Sequence, residues 1–169
     1  PFEQYWPVRP VAFSGGSMKA GAGLQTIRLN NIPPFSPLIC YEVLFPGEVI
    51  LKKDRPQWIL AATNDAWYGN TSGPYQHLAI TRTRAVEEGL PIIRAANTGI
   101  SAVIDPMGRI VQSLPLNHEG IIDQTMPAFL APTLFVRLGH YPFFLMLTLT
   151  WCIAWVVQRH RIPTLPRLK

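Results

Sequence analysis

Apolar residues between positions 24 and 125 fall in short runs of four to six, separated by Gly, Pro, Asn and Asp. The clearest run, Trp58-Ile59-Leu60-Ala61-Ala62-Thr63, is near-continuous, the pattern of a parallel strand covered on both faces. Pro37–Cys40 and Ile92–Ala96 read the same way. Ile100–Ile104 and Arg109–Leu114 flank Asp105-Pro106-Met107-Gly108, whose Pro and Gly placement makes a tight turn, so they form a hairpin. Residues 1–36 are rich in Pro and Gly and read as loop with a short strand at Leu24–Leu29. A further strand is expected at Gly120–Thr125. Two stretches have helical character. Gly47–Arg55 is expected to be helical, starting near Phe45. Pro74–Glu88 is the stronger case: Ser72 or Gly73 caps it, Pro74 suits the first helical position, and Gly89 with Pro91 ends it. Strand, helix and strand over residues 58–96 make a right-handed βαβ unit. The fold class is therefore α/β, with a mixed sheet.

The last apolar stretch is of another kind. Pro142 to Val157 carries no charge and, with Gly139 and Tyr141, approaches the roughly 20 residues that span a bilayer. Tyr141, Trp151 and Trp155 lie near its ends and Arg159-His160-Arg161 follows directly. A buried helix of a soluble protein gives no reason for that basic flank or for apolar residues on every face. Residues 134–158 are thus expected to be a transmembrane helix with its lead-in, and 159–169 a basic cytoplasmic tail.

Composition sharpens this picture. Hydrophobic residues are 48% of the 169 and charged residues 15%, against about 25% charged in ordinary soluble domains. The net charge of +5 lies wholly after Thr133; before it ten basic residues balance ten acidic ones. A basic surface for nucleic acid belongs on the folded domain, so this distribution argues against that partner. The chain opens on Pro1-Phe2-Glu3 with neither an initiator Met nor a signal peptide, and is expected to be the C-terminal piece of a longer protein.

Candidate chemistry centres on Cys40. It ends an apolar run and precedes Tyr41-Glu42, the setting of a nucleophile on a sharp strand-to-helix turn. The bland alternative is a small buried hydrophobe. Cys152, the other cysteine, lies in the apolar span, so a disulfide between them is not expected. Glu42 has two readings: a carboxylate capping the following helix, or a group that orients or activates those around the sulfur, acting as a base. A carboxylate alone opposes thiol ionisation, so Glu42 is not a sole activator. The loop Asn64-Asp65-Ala66-Trp67-Tyr68-Gly69-Asn70 follows a strand at the sheet edge where α/β proteins bind ligands. Asn64, Asp65, Trp67 and Tyr68 are candidate substrate-binding residues; plain turn chemistry by Asp65 is the alternative. His77 reads as a partly buried helix histidine rather than as a partner of Cys40. No Cys/His spacing suits zinc and no Gly-rich phosphate loop is present, so no cofactor or metal is expected.

Five motifs occur together and in order: Leu38-Ile39-Cys40-Tyr41-Glu42, Thr63-Asn64-Asp65-Ala66-Trp67-Tyr68-Gly69, Gly73-Pro74-Tyr75-Gln76-His77, Arg84-Ala85-Val86-Glu87 and Arg94-Ala95-Ala96-Asn97-Thr98-Gly99. In this arrangement the chain resembles the apolipoprotein N-acyltransferase family of the nitrilase superfamily, from about residue 1 to the end. The Asn64–Trp67 loop and the trailing apolar helix separate it from soluble nitrilases and amidases. The resemblance implies the C-terminal part of a nitrilase-like αββα sandwich (carbon-nitrogen hydrolase domain) over residues 1–133, followed by one transmembrane helix. It implies a bacterial inner-membrane protein, multi-pass in its parent, with the catalytic domain outside. It implies a Glu-Lys-Cys triad in which Cys40 matches the nucleophile and Tyr41 and Glu42 support it. No motif for the triad Glu and Lys occurs here, and Lys19 lacks the family's context, so the 169 residues alone are expected to be inactive. Phospholipid as acyl donor, the diacylglyceryl-Cys of an apolipoprotein as acceptor, and the membrane are the implied partners. A membrane-anchored amidase or nitrilase is the runner-up, and a non-catalytic fragment the third reading.

Overall fold

The computed structural model describes residues 21–161. The Pro/Gly-rich opening with Lys19, and the tail after Arg161, lie outside the described residues. Six strands form one sheet in sequence order: β1 (Ile27–Leu29), β2 (Ile32–Ile39), β3 (Trp58–Asn64), β4 (Ile92–Asn97), β5 (Ser101–Ile104) and β6 (Ile110–Leu114). β2, β3 and β4 are parallel, and the other neighbours pair antiparallel. Helix α1 (Gly73–Glu88) is the crossover between β3 and β4. This is the expected α/β arrangement with a mixed sheet: one sheet layer and one helix layer.

Alternation sets which strand residues face the core. Leu38, Ile59, Ala61, Ile92 and Ile104 share one sheet face and are at most 3% exposed. Leu78 and Ala85 of α1 pack on them. Burying a Leu or Ile side chain contributes roughly 1.5–3 kcal/mol, so this seam is the main apolar tie between sheet and helix. Gly89 ends α1 in the left-handed conformation (φ +65), its N–H donating to Ala85 O.

Three expectations need correction. β2 begins at Ile32 and includes Pro33-Pro34, read above as loop. A strand tolerates these prolines because β1 is only three residues long and needs few donors from β2. The Pro33 and Pro34 carbonyls still accept from Trp58 Nε1 (2.9 Å) and Gln57 N (2.8 Å). Gly47–Arg55 is no helix; only Lys52–Asp54 forms a 3-10 turn. Val49 and Ile50 are instead drawn into the core, with Ser36 Oγ donating to Val49 O at 2.7 Å. Gly120–Thr125 forms no strand, and Ile121 is 90% exposed.

After the sheet come α2 (Leu134–Leu138) and α3 (Tyr141–Arg161). Thr133 Oγ1 caps α2 by accepting from Val136 N, and Gly139 (φ +56) separates the helices. In α3, Tyr141–Arg159 has a mean hydropathy of 1.5 and no buried residue, so it is long and apolar enough to cross a membrane. Its 21 residues extend about 31 Å, close to the thickness of a bilayer's hydrocarbon core.

Candidate active site

The parallel strands β2, β3 and β4 end on the same edge, and the chain leaves that edge in sharp turns. Cys40 is the first residue beyond β2 and opens a 3-10 turn, Cys40–Leu44. Its φ is +52, a left-handed conformation that side chains with a Cβ rarely adopt. Thr98, just past β4, has φ +57. Backbone strain of this kind costs about 1–3 kcal/mol per residue and collects at functional sites. The thiol is half-buried. Glu42 Oε2 accepts from Ile39 N at 2.6 Å, so its carboxylate braces the start of the turn that presents Cys40. Of the two readings of Glu42, the cap is the one with a hydrogen bond behind it.

The loop after β3 is a second 3-10 turn, Asp65–Tyr68. Asn64 Oδ1 caps it, accepting from Ala66 N (3.1 Å) and from Asn97 Nδ2 (3.3 Å), which ties the ends of β3 and β4 together. Tyr68 Oη donates to Tyr41 Oη at 2.9 Å, joining this turn to the Cys40 turn. That bond to Tyr41, with burial and the nearby Asp65 and Cys40, pushes the Tyr68 phenol up to about 12. The Tyr68 ring lies against the start of α1, where Gly73 leaves it room; a Cβ there would sit 2.6 Å from Tyr68 Cγ. Trp67 is 84% exposed at the rim.

Asp65, expected at the substrate surface, is buried instead. Its carboxylate pairs with Arg94 Nη2 (2.5 Å) and His77 Nδ1 (2.9 Å), and accepts from Thr63 Oγ1 (3.2 Å). Three partners at a buried position hold it inward, so it serves the site from below. His77 is fully buried rather than partly. Arg94 was missed. It occupies the inward phase of β4 shared with Ile92, and also donates to Thr81 Oγ1 and Ile100 O. Its signal was a lone cation at an inward strand position, which demands a buried acid. Thus Cys40, Tyr41, Glu42, Asn64 and Tyr68 meet at one edge, Asp65 lies under it, and Trp67 stands out in solvent. The described residues contain no group of three His, Cys, Asp or Glu suited to a metal.

The profile of the carbon-nitrogen hydrolase family matches residues 4–131. The chain is 49% identical over 148 residues to an apolipoprotein N-acyltransferase of Rhodopseudomonas palustris, covering 88% of this chain and 27% of that protein. It is 47% identical over 162 residues to one of Bradyrhizobium diazoefficiens, covering 94% and 29%. The chain thus spans under a third of the length of these relatives. Among solved structures, a carbon-nitrogen hydrolase from Helicobacter pylori aligns with TM-score 0.51 and 13% identity over 60% of this chain and 43% of that one, a likeness of fold.

Proposed function

The chain belongs to the carbon-nitrogen hydrolase family, and on that premise we propose that it carries the nucleophile half of a lipoprotein N-acyltransferase. The observation that carries the chemistry is Cys40 held at φ +52 beyond a parallel strand. Residues 1–133 are the C-terminal part of the catalytic domain, 134–158 a membrane-spanning segment with its lead-in, and 159–169 a basic tail on the cytoplasmic side. The likeness to proteins named apolipoprotein N-acyltransferase supports the substrates.

The Cys40 thiolate attacks the ester carbonyl carbon of a phospholipid. The S–C bond forms, the ester C–O bond breaks, and the lysophospholipid alkoxide leaves with a proton. The α-amine of a diacylglyceryl-Cys on an apolipoprotein then attacks the thioester carbonyl: the N–C amide bond forms, the S–C bond breaks, and the amine's proton passes to the departing Cys40 thiolate. This is ping-pong acyl transfer. Tyr41 and Glu42 support the turn; Asn64, Trp67 and Tyr68 line the approach, and Asp65 holds that loop from beneath. The general base and the cationic oxyanion partner implied by the family come from segments other than the motifs found here. Water must be kept from the thioester, a task for the exposed aromatic rim and the bilayer surface. The protein sits in the bacterial inner membrane with this domain outside.

The test uses the full-length protein in detergent, wild type against Cys40→Ala. With phospholipid supplied, mass spectrometry should find acyl mass on the Cys40 peptide of the wild type only, discharged by a diacylated lipopeptide. Absence of the adduct, or full-rate discharge by water alone, refutes acyl transfer and favours a hydrolase.

A further inference from the structure

Beneath the Cys40 turn lies a polar cluster that acyl transfer does not use directly. Asp65 follows β3, His77 belongs to α1 and Arg94 to β4, yet their side chains converge, and each residue is at most 2% exposed. An ionised carboxylate only accepts hydrogen bonds, so the 2.9 Å contact places the proton of His77 on Nδ1, facing Asp65. Arg94 Nη2, 3.3 Å from the same nitrogen, then meets a donor and bonds Asp65 instead. The His77 ring is thereby locked in orientation. Tyr41 stacks on it at 6.1 Å between centroids and 21° between planes, and Tyr68 meets it edge-on at 6.1 Å and 63°. Tyr41 is the next residue after Cys40, so what holds its ring holds the strained turn.

We propose that Asp65, His77 and Arg94 form a positioning unit for Cys40, in which the locked imidazole seats Tyr41 and the Asp65–Arg94 pair keeps the charge beneath the thiol balanced. This rests on the reading of Cys40 as nucleophile. The titratable and charged groups around this turn are Tyr41 and Glu42 within it, Tyr68 bonded to Tyr41, His77 of α1 stacked on Tyr41, and Asp65 with Arg94 of β4 paired behind that ring. Cys40 acts electrostatically on both Tyr68 and Arg94, although burial leaves Arg94 below the ordinary guanidinium range. Removing either member of the pair breaks the same buried contact but leaves opposite charge behind. A merely structural role does not distinguish the two; a charge-balancing role gives them opposite signs. One unbalanced charge about a Debye length (~10 Å) away, with an effective dielectric of ~20, moves a thiol's titration by roughly one pH unit.

The experiment follows iodoacetamide labelling of the full-length protein in detergent against pH, with peptide mass spectrometry separating Cys40 from Cys152. Asp65→Asn should move the Cys40 labelling midpoint to lower pH, and Arg94→Gln to higher pH, each by roughly one unit. His77→Gln should leave the midpoint in place and lower kcat for acyl transfer with KM unchanged. Shifts of the same sign, or none, overturn the charge-balancing role, and a KM effect without a kcat effect overturns the platform role. Should the two charge variants fail to fold, Arg94→Lys, which keeps the cation, must keep the wild-type midpoint; a displaced midpoint refutes the proposal. Labelling reads this coupling whether or not Cys40 accepts an acyl group, so a missing acyl adduct sinks the nucleophile reading alone.

Discussion

Gly99→Ala isolates the packing on which the buried cluster depends. Gly99 has no left-handed backbone, so alanine there brings no conformational penalty; its effect is steric. An added Cβ would lie 2.7 Å from both Cβ and Cγ of Asp65, against 3.4–4 Å for ordinary contact. Asp65 must therefore retreat by about 0.7 Å or more, and it has no flexible end to give way, because its carboxylate is fixed by Arg94, His77 and Thr63. A displacement of that size stretches the Arg94–Asp65 bond towards the limit of hydrogen bonding. Overpacking alone costs about 1–3 kcal/mol, and breaking a buried ion pair about 3–5 kcal/mol. A loss of about 3 kcal/mol is expected, equivalent to a fall of about 6–12 °C in the melting temperature of a domain of this size. The assay is thermal unfolding of the full-length protein in detergent, with Gly21→Ala as control, since among the described residues nothing lies within 4 Å of a Cβ at Gly21. A Gly99→Ala protein that melts within about 2 °C of wild type, under 1 kcal/mol, would refute the rigid seating of Asp65.

Strain at Cys40 and burial at Glu88 give two more tests. Cys40→Gly should be more stable than Cys40→Ala by about 1 kcal/mol, because glycine relieves the φ +52 conformation and alanine keeps it; equal melting temperatures would count against strain. Glu88 is fully buried, and its carboxylate oxygens have no hydrogen-bond partner among the described residues. Burial raises its carboxyl above the ordinary value of 4.5, opposed by Lys52, Arg55 and Arg84 and reinforced by Glu87. The folded state thus holds this proton more tightly than the unfolded one, and stability is lost as pH rises from the ordinary carboxylate value through the raised one. Glu88→Gln should gain on wild type in melting temperature as pH rises through that window; a gap that stays constant from about pH 4 to pH 8 refutes it.

What could be read along the chain was what neighbouring residues decide. β3, β4, β5 and α1 stand within a residue or two of expectation, because their apolar runs, the Pro74 start and the Gly89 stop act locally. The failures lie where distant contacts overrule local pattern. Residues 47–55 have helical character, but burying Val49 and Ile50 against the sheet outweighs one short helix. Gly120–Thr125 is expected as a strand, yet no strand among the described residues pairs with it, and an unpaired strand has no ladder to stabilise it.

The cluster under Cys40 is the instructive case. Arg94 and Asp65 are 29 residues apart, beyond the reach of any periodicity argument. The sheet register makes the pairing intelligible. Arg94 lies level with Ala61 of β3, so Asp65, four residues further along that neighbouring strand, stands just past its end and within the span of an arginine side chain. An arginine sharing the phase of Ile92 must face the core, and a core cation needs a carboxylate at hand. Asp65, the first residue beyond β3, is the acid this geometry supplies. That the same edge carries Cys40 in a left-handed turn links the two observations: a strained backbone persists only where its surroundings over-determine it. Here Tyr41 stacked on a locked imidazole, and Glu42 bonded back to Ile39, provide that constraint.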